Sequence, residues 1–227
     1  IWIPLPGRDV RAGLWLLQVG RTPLLLLDTN IEENEAEDRP ITSYLYVRGR
    51  EMRLTQEVVL GVGGARILLE LGISPDLHHL NEGHSAFSLI DRVASLVRLG
   101  LDFAEALQCV RERTVFTIHT PVPAGNERFD VAMFRRYLAP LFGDRTDLVD
   151  KTVALGRGVD GDPNVFDMTA YCLRLSRAAN GVSQLHGRTA NETWKGIASH
   201  GISTVTNGVH MPTWLGPEMQ DLVDKNR

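Results

Sequence analysis

The chain has 227 residues, a formal net charge of −4, 43% hydrophobic residues and two cysteines. That length fits one large domain or two small ones and is ample for a sizeable core. Acidic and basic residues are interspersed throughout, which argues against a nucleic-acid groove or a membrane-surface patch, and no apolar run approaches the roughly 18 residues needed to span a bilayer.

The first stretch, IWIPLPGRD, resembles neither a signal peptide nor a natural start with Met, so a piece of a longer protein is expected. In LWLLQVGRTPLLLLD, Leu14–Val19 and Leu24–Asp28 are apolar runs of strand length joined by a turn at Gly20, Arg21 and Pro23. An acidic, turn-rich loop follows. From Arg50 to Leu71 the residues Leu54, Val58, Val62, Ala65 and Leu69 recur at spacings of three and four, which predicts an amphipathic helix ended by Gly72. Within it, GVGGAR follows no strand and matches neither the dinucleotide-binding nor the P-loop pattern. Its glycines read as points of close helix packing.

DLHHL predicts a short strand, followed by a helix from about Ser85 to Leu99 and another from Asp102 to Arg113. Asp102 and Glu105 form a capping box for the second. TVFTIHT has the strongest strand character in the chain, running up to His119. PVPAGNERFD, with two prolines and a glycine within five residues, reads as irregular and as a stiffened exit from that strand. A weakly periodic stretch and the loop GRGVDGDPN precede a helix expected over Asp167–Ala179. GVSQL then reads as a strand leading to His186, with a helix near Ala190–Ser199 and a last strand in STVTNGVH. The final stretch, GPEMQDLVDKNR, reads as a helix that stops without a cap. Cys109 and Cys172 both fall in helical periodicity and are expected to be buried, reduced thiols in a reducing compartment.

Helices and strands alternate from residue 50 onward, which predicts an α/β fold with a mainly parallel sheet. In such sheets ligands sit beyond the carboxyl ends of the strands. Asn81, Glu82 and His84 follow one predicted strand, His119 and Thr120 a second, His186 a third, and Asn207 and His210 a fourth. A single polar site is the economical reading.

Each cluster also has a plainer reading. Glu82 and His84 suit the opening of a helix, where an acid meets the positive end of the helix dipole. His119 suits a surface turn, and Asn207 with Gly208 an ordinary turn, where the functional reading has Trp214 packing beneath the loop. His78 reads as structural. The seven histidines invite a metal, but there is no HExxH, carboxylate triad or CxxC.

Taken together and in this order, HLNEGHSAF, HTPVPAGNERF, ANGVSQLHG and VTNGVHMPTW closely resemble the α-glucan (glycogen/maltodextrin) phosphorylase family, in its compact bacterial and archaeal branch. LLLLDTNIEEN and REMRLTQEVVLGVGG resemble it too. The resemblance implies a B-type glycosyltransferase fold of two Rossmann-like halves around a cleft. It implies cleavage of terminal α-1,4-linked glucose by inorganic phosphate to glucose 1-phosphate with retention, and pyridoxal phosphate acting through its phosphate group.

Carried onto this chain, the resemblance places His119 beside the glucose, its ring on the 6-hydroxyl and its carbonyl near developing positive charge. Asn207 would bond the glucose hydroxyls, Glu82 and His84 would line the cleft, and His210 is a further substrate-binding position. Mammalian relatives have aspartate where Glu82 stands. The family's cofactor lysine and basic phosphate-binding pair have no counterpart around Lys151, Lys195 or Lys225. No cofactor is therefore expected to be held covalently by this chain, and no metal. Residues 1–215 would be the later part of the N-terminal Rossmann-like domain and 216–227 the start of the crossover to a cofactor domain. The segment would be inactive alone. Its implied partners are maltooligosaccharide or α-1,4-glucan and phosphate in the cytoplasm, with homo-oligomerisation left open. The alternatives are a non-catalytic carbohydrate-binding fragment and a His-rich metal-dependent hydrolase.

Overall fold

The computed structural model describes residues 1–45, 47, 49–119 and 126–226. Its centre is a four-stranded sheet in the order β10-β9-β6-β5. The strands are β5 (His78–Asn81), β6 (Thr114–Ile118), β9 (Ala178–Gly181) and β10 (Ile202–Thr204), and every neighbouring pair is parallel. Parallel neighbours cannot be joined by tight turns, so each connection crosses the sheet through helices. These are α3 (Ala86–Arg98) and α4 (Phe103–Glu112) between β5 and β6, and α5 (Val131–Phe142), α6 (Thr146–Leu155) and α7 (Met168–Arg174) between β6 and β9. A single helix, α8 (Gln184–Thr193), joins β9 to β10. The expected α/β fold with a Rossmann-like parallel sheet is what the chain forms.

Two hairpins precede this unit. β3 (Gly13–Val19) and β4 (Thr22–Asp28) form the expected antiparallel pair, turning through Gly20 at φ 59°. β1 (Trp2–Leu5) and β2 (Arg8–Arg11) form a second hairpin that the sequence reading missed. Pro4 and Pro6 hide its alternation, and Gly7 at φ 75° makes its turn. The β3–β4 ribbon exposes Trp15, Leu16, Leu17 and Val19, whereas Ile3, Leu5 and Val10 of the first hairpin are buried.

The predicted helix over Arg50–Leu71 is observed as α1 (Arg50–Val58), a π-helical turn over Val59–Gly63, and α2 (Gly64–Glu70). Gly61 and Gly63 are there for packing. A Cβ on Gly61 would lie 2.6 Å from Phe87 Cβ and 2.7 Å from the Ser88 nitrogen, and one on Gly63 2.8 Å from Leu27 and 2.9 Å from Ile3. Gly72 ends the helix region at φ 67°, and the Asp102–Glu105 capping box of α4 is present.

Four local expectations are corrected. ERFD is not irregular: β7 (Arg128–Asp130) pairs antiparallel with β8 (Val165–Asp167), because the prolines and glycine all lie upstream of residue 126. The helix expected over Asp167–Ala179 ends at Arg174, and Ala178 and Ala179 belong to β9. Ser176 Oγ turns back to the Cys172 carbonyl at 2.7 Å, and pairing with β6 then overrides the poor strand propensity of alanine. GVSQL is not a strand, since Ser183 caps α8 and the helix starts at Gln184, before the expected Ala190. Finally, Cys109 is exposed while Cys172 is buried, both as free thiols.

The weakly periodic stretch after residue 130 supplies the aromatic core. Phe134 of α5 stacks on Phe166 with centroids 3.8 Å apart and meets Phe87 at 5.1 Å and Phe129 at 6.4 Å. Asp130 and Asp167, the last residues of β7 and β8, each cap the helix that follows by accepting an N–H at 2.9 Å.

Two glycines three residues apart should respond oppositely to the same substitution. Gly61→Ala forces a methyl into the α3 backbone and is expected to cost about 3 kcal/mol. Gly64→Ala, with nothing within 4 Å of the new Cβ, should stabilise by up to about 1 kcal/mol through helix propensity. Urea unfolding of the two variants measures both.

Candidate functional site at the strand ends

Because the four strands are parallel, their carboxyl ends fall on one edge, and the polar exits are brought together there. At β5 the chain turns through Glu82, whose φ of 61° makes it the single non-glycine residue in left-handed conformation among the described residues. Gly83 follows because a Cβ there would lie 2.9 Å from Met168 Cβ. The turn aims Glu82 across the sheet edge. Its carboxylate accepts the backbone N–H of His119, while its own N–H donates to the Thr117 carbonyl at 2.9 Å. Glu82 is buried, and it does not cap the helix that follows. The capping reading of Glu82 is thus replaced by a cross-strand tie.

His119 is held at two points, its N–H by Glu82 and its ring Nε2 against Asn81 Oδ1 at 2.6 Å. On the same stretch of sheet, His79 Nε2 meets Thr117 Oγ1 at 2.6 Å, and that hydroxyl meets Asn180 Oδ1 at 2.9 Å. Registers Asn81↔Thr117 and Thr117↔Asn180 align these side chains across β5, β6 and β9. Thr120 and the proline-stiffened exit lie outside the described residues.

The fourth exit is tied to the third. Val205 N–H donates to the Gly181 carbonyl at 2.9 Å and Asn207 N–H to the Val182 carbonyl at 3.1 Å, which carries Asn207 along the edge with its side chain exposed. His210 lies further out, its Nδ1 on Thr213 Oγ1 at 2.7 Å. Trp214 does not pack beneath this loop and is 78% exposed. His186 does not directly follow a strand. It lies in α8, where its N–H donates to Ser183 Oγ at 3.1 Å and its Nδ1 accepts from Val182 N–H at 3.2 Å. His186 therefore closes the β9–α8 turn.

His84 joins a cluster that the sequence reading did not assemble. Arg53 donates from Nη2 to His84 Nδ1 at 2.8 Å and from Nε to Glu127 at 3.0 Å, and its Nε lies 3.3 Å from Glu57. Arg50 donates to the other Glu127 oxygen at 2.9 Å. A cavity of about 360 Å³ opens beside His84, Arg50, Arg53 and Glu127. Glu57, His84 and Glu127 present ligand atoms within 4.8 Å of one another, a spacing that suits a metal ion. The Arg53 guanidinium already contacts all three, so a metal would have to displace it. The Arg53–Glu57 spacing of four on one helix was the available sequence signal. Glu127 has no local signal, because the fold alone brings it to α1.

Burial raises the Glu57 carboxyl to about 7, and the nearby Glu127 charge adds to this while His84 and Arg53 oppose it. Its Oε2 is buried with no partner among the described residues. The Glu57 Oε1 lies 3.3 Å from His84 Nδ1.

A parallel α/β domain with a cluster of polar groups at its strand ends is the class of protein these features define. No protein-family model matches the chain. Over 94% of its length it is 46% identical to the glycogen phosphorylase of Mycobacterium tuberculosis (strain H37Rv), covering 26% of that protein. Over 99% it is 42% identical to the maltodextrin phosphorylase of Thermococcus litoralis, covering 27%, and 33% identical to the glycogen phosphorylase of Aquifex aeolicus, covering 33%. The chain is thus similar over nearly its whole length to glycogen and maltodextrin phosphorylases and spans about a quarter to a third of the length of these relatives.

Glu57 makes stability fall with pH. Its folded value near 7 lies above the ordinary 4.5, so its contribution is fully present below 4.5 and lost as pH rises through 7, amounting to about 3 kcal/mol. Urea unfolding at pH 5 and pH 8 should show this loss in the native protein and a flatter profile in Glu57→Gln.

Proposed function

We propose that the chain is the glucose-binding wall of an α-glucan phosphorylase, the later part of its N-terminal Rossmann-like domain over residues 1–215, with 216–227 starting the crossover to a cofactor domain. The observation that carries this reading is the convergence of HLNEGH, the His119 strand end and VTNG on one edge of a parallel sheet, in a chain 42–46% identical to named phosphorylases over nearly its whole length. In this reading His119 contacts the glucose, Asn207 bonds its hydroxyls, and His84 and Glu82 line the cleft, with His210 at its outer margin. Substrates would be α-1,4-glucan and inorganic phosphate in the cytoplasm. Among the described residues no helix is long and apolar enough to cross a membrane.

The chain's own contribution is positioning and hydrogen bonding in a fixed polar environment, where small displacements cost much of the rate. Glu82 acts as a positioning residue. By accepting the His119 N–H it sets the peptide that precedes the strand exit, while Asn81 sets the ring. Asn207 projects from a segment anchored through backbone bonds to the β9–α8 turn, so its amide is presented from a rigid support.

Pyridoxal phosphate, which the family implies, does not fit this segment as a covalent ligand. Lys151 lies on α6 and pairs with Asp147 at 3.8 Å, Lys195 lies beyond the far end of α8, and Lys225 ends the helix Pro217–Lys225. None stands at a strand-to-helix turn. In the complete enzyme the cofactor would come from the other half of the cleft.

Joined to the remaining parts of the Mycobacterium tuberculosis relative, the segment should support release of glucose 1-phosphate from maltooligosaccharide and phosphate. His119→Ala should lower kcat/KM by at least 100-fold. Glu82→Gln, which keeps an acceptor for the His119 N–H, should lower kcat by about 10-fold with little change in KM. A folded chimera that binds maltooligosaccharide without turnover would favour a carbohydrate-binding role instead.

A further inference from the structure

At the opposite pole of the sheet, where the strands begin, a cavity of about 420 Å³ lies between α2, α3 and α4. His78 opens β5 there, its N–H donating at 2.8 Å to the carbonyl of Arg113, which closes α4. Leu68, Leu69, Leu96 and Leu99 supply apolar walls, and Arg92 and Arg113 line the same space. A volume of this order and a mostly apolar lining with a few polar groups is typical of small-molecule sites.

The charges in this cavity are unbalanced. Arg92 donates to Thr114 Oγ1 at 3.2 Å, and among the described residues neither it nor Arg113 has a carboxylate partner. The two lining carboxylates are engaged elsewhere: Asp91 with Arg66 at 3.0 Å, and Glu112 with the Gln108 amide at 2.6 Å. Arg92 is pulled down to about 10 by burial and by the charge of Arg113. His78 is pushed down to about 4 by burial and by both arginines. A half-buried guanidinium repelled by a second one, beside a histidine kept neutral by both, is a place where an anion relieves repulsion on entering.

We propose that this cavity binds an amphipathic anion, with a carboxylate or phosphate head on Arg92 and Arg113 and an apolar body against the leucine walls. The site is separate from the strand-end edge and does not depend on the phosphorolytic reading. Calorimetric titration of the purified chain with decanoate and with decyl phosphate tests it, and comparing them tells a carboxylate from a phosphate source. One saturable site is expected for at least one of the two, with inorganic phosphate at least tenfold weaker. Arg92→Met should weaken binding at least tenfold. The more exposed Arg113→Gln should weaken it severalfold and keeps the test decisive if Arg92→Met unfolds. The NMR titration of the His78 ring should move up by at least one pH unit at saturation. Absence of a saturable site, affinity unchanged in Arg113→Gln, inorganic phosphate binding as tightly as the amphiphiles, or an unmoved His78 titration would each overturn the proposal.

Discussion

Parallel pairing of β5, β6, β9 and β10 in strict chain order is the constraint on which the rest of this molecule depends. It forces each connection to cross back through helices, so all four carboxyl ends open on one side and all four amino ends on the other. The strand-end cluster and the arginine-lined cavity at the opposite pole both follow from that polarity. Neither needs long strands, since each of the four has only three to five residues.

Short strands place the burden of rigidity on what flanks them. Gly61 lets α1 and α2 approach the α3 backbone, and Gly83 lets the β5 exit pass against Met168. Phe134 gathers Phe87, Phe129 and Phe166 into one aromatic core. The edge can then carry unusual backbone and half-satisfied polar groups, such as the left-handed Glu82 and the lone buried oxygen of Glu57. Strain and unpaired polarity of this kind persist only where the surroundings over-determine them.

Arg53 shows how a side chain can replace an ion. Histidine and two carboxylates within reach of one another are a metal-binding set by chemistry alone, yet the guanidinium contacts all three and supplies the positive charge. It also links α1 to Glu127, just ahead of β7. The wall containing His84 is thereby braced from a helix remote in sequence.

The α/β class, the long helix ending at Gly72, the capping box at Asp102, the strand before His119 and the shared edge of the polar exits were all legible in the sequence. Each rests on local periodicity, turn chemistry or the order of elements. The β1–β2 and β7–β8 pairs, the strand in Ala178–Gly181 and the true place of His186 were not, because pairing partners and burial decided them against weak or contrary local propensity. HLNEGH shows the division within six residues. Its position at a strand-to-helix turn can be read from neighbouring residues. That Glu82 reaches the His119 N–H while His84 turns to Arg53 is set by contacts spanning 37 and 31 positions, and only the packed chain brings those groups within hydrogen-bond range.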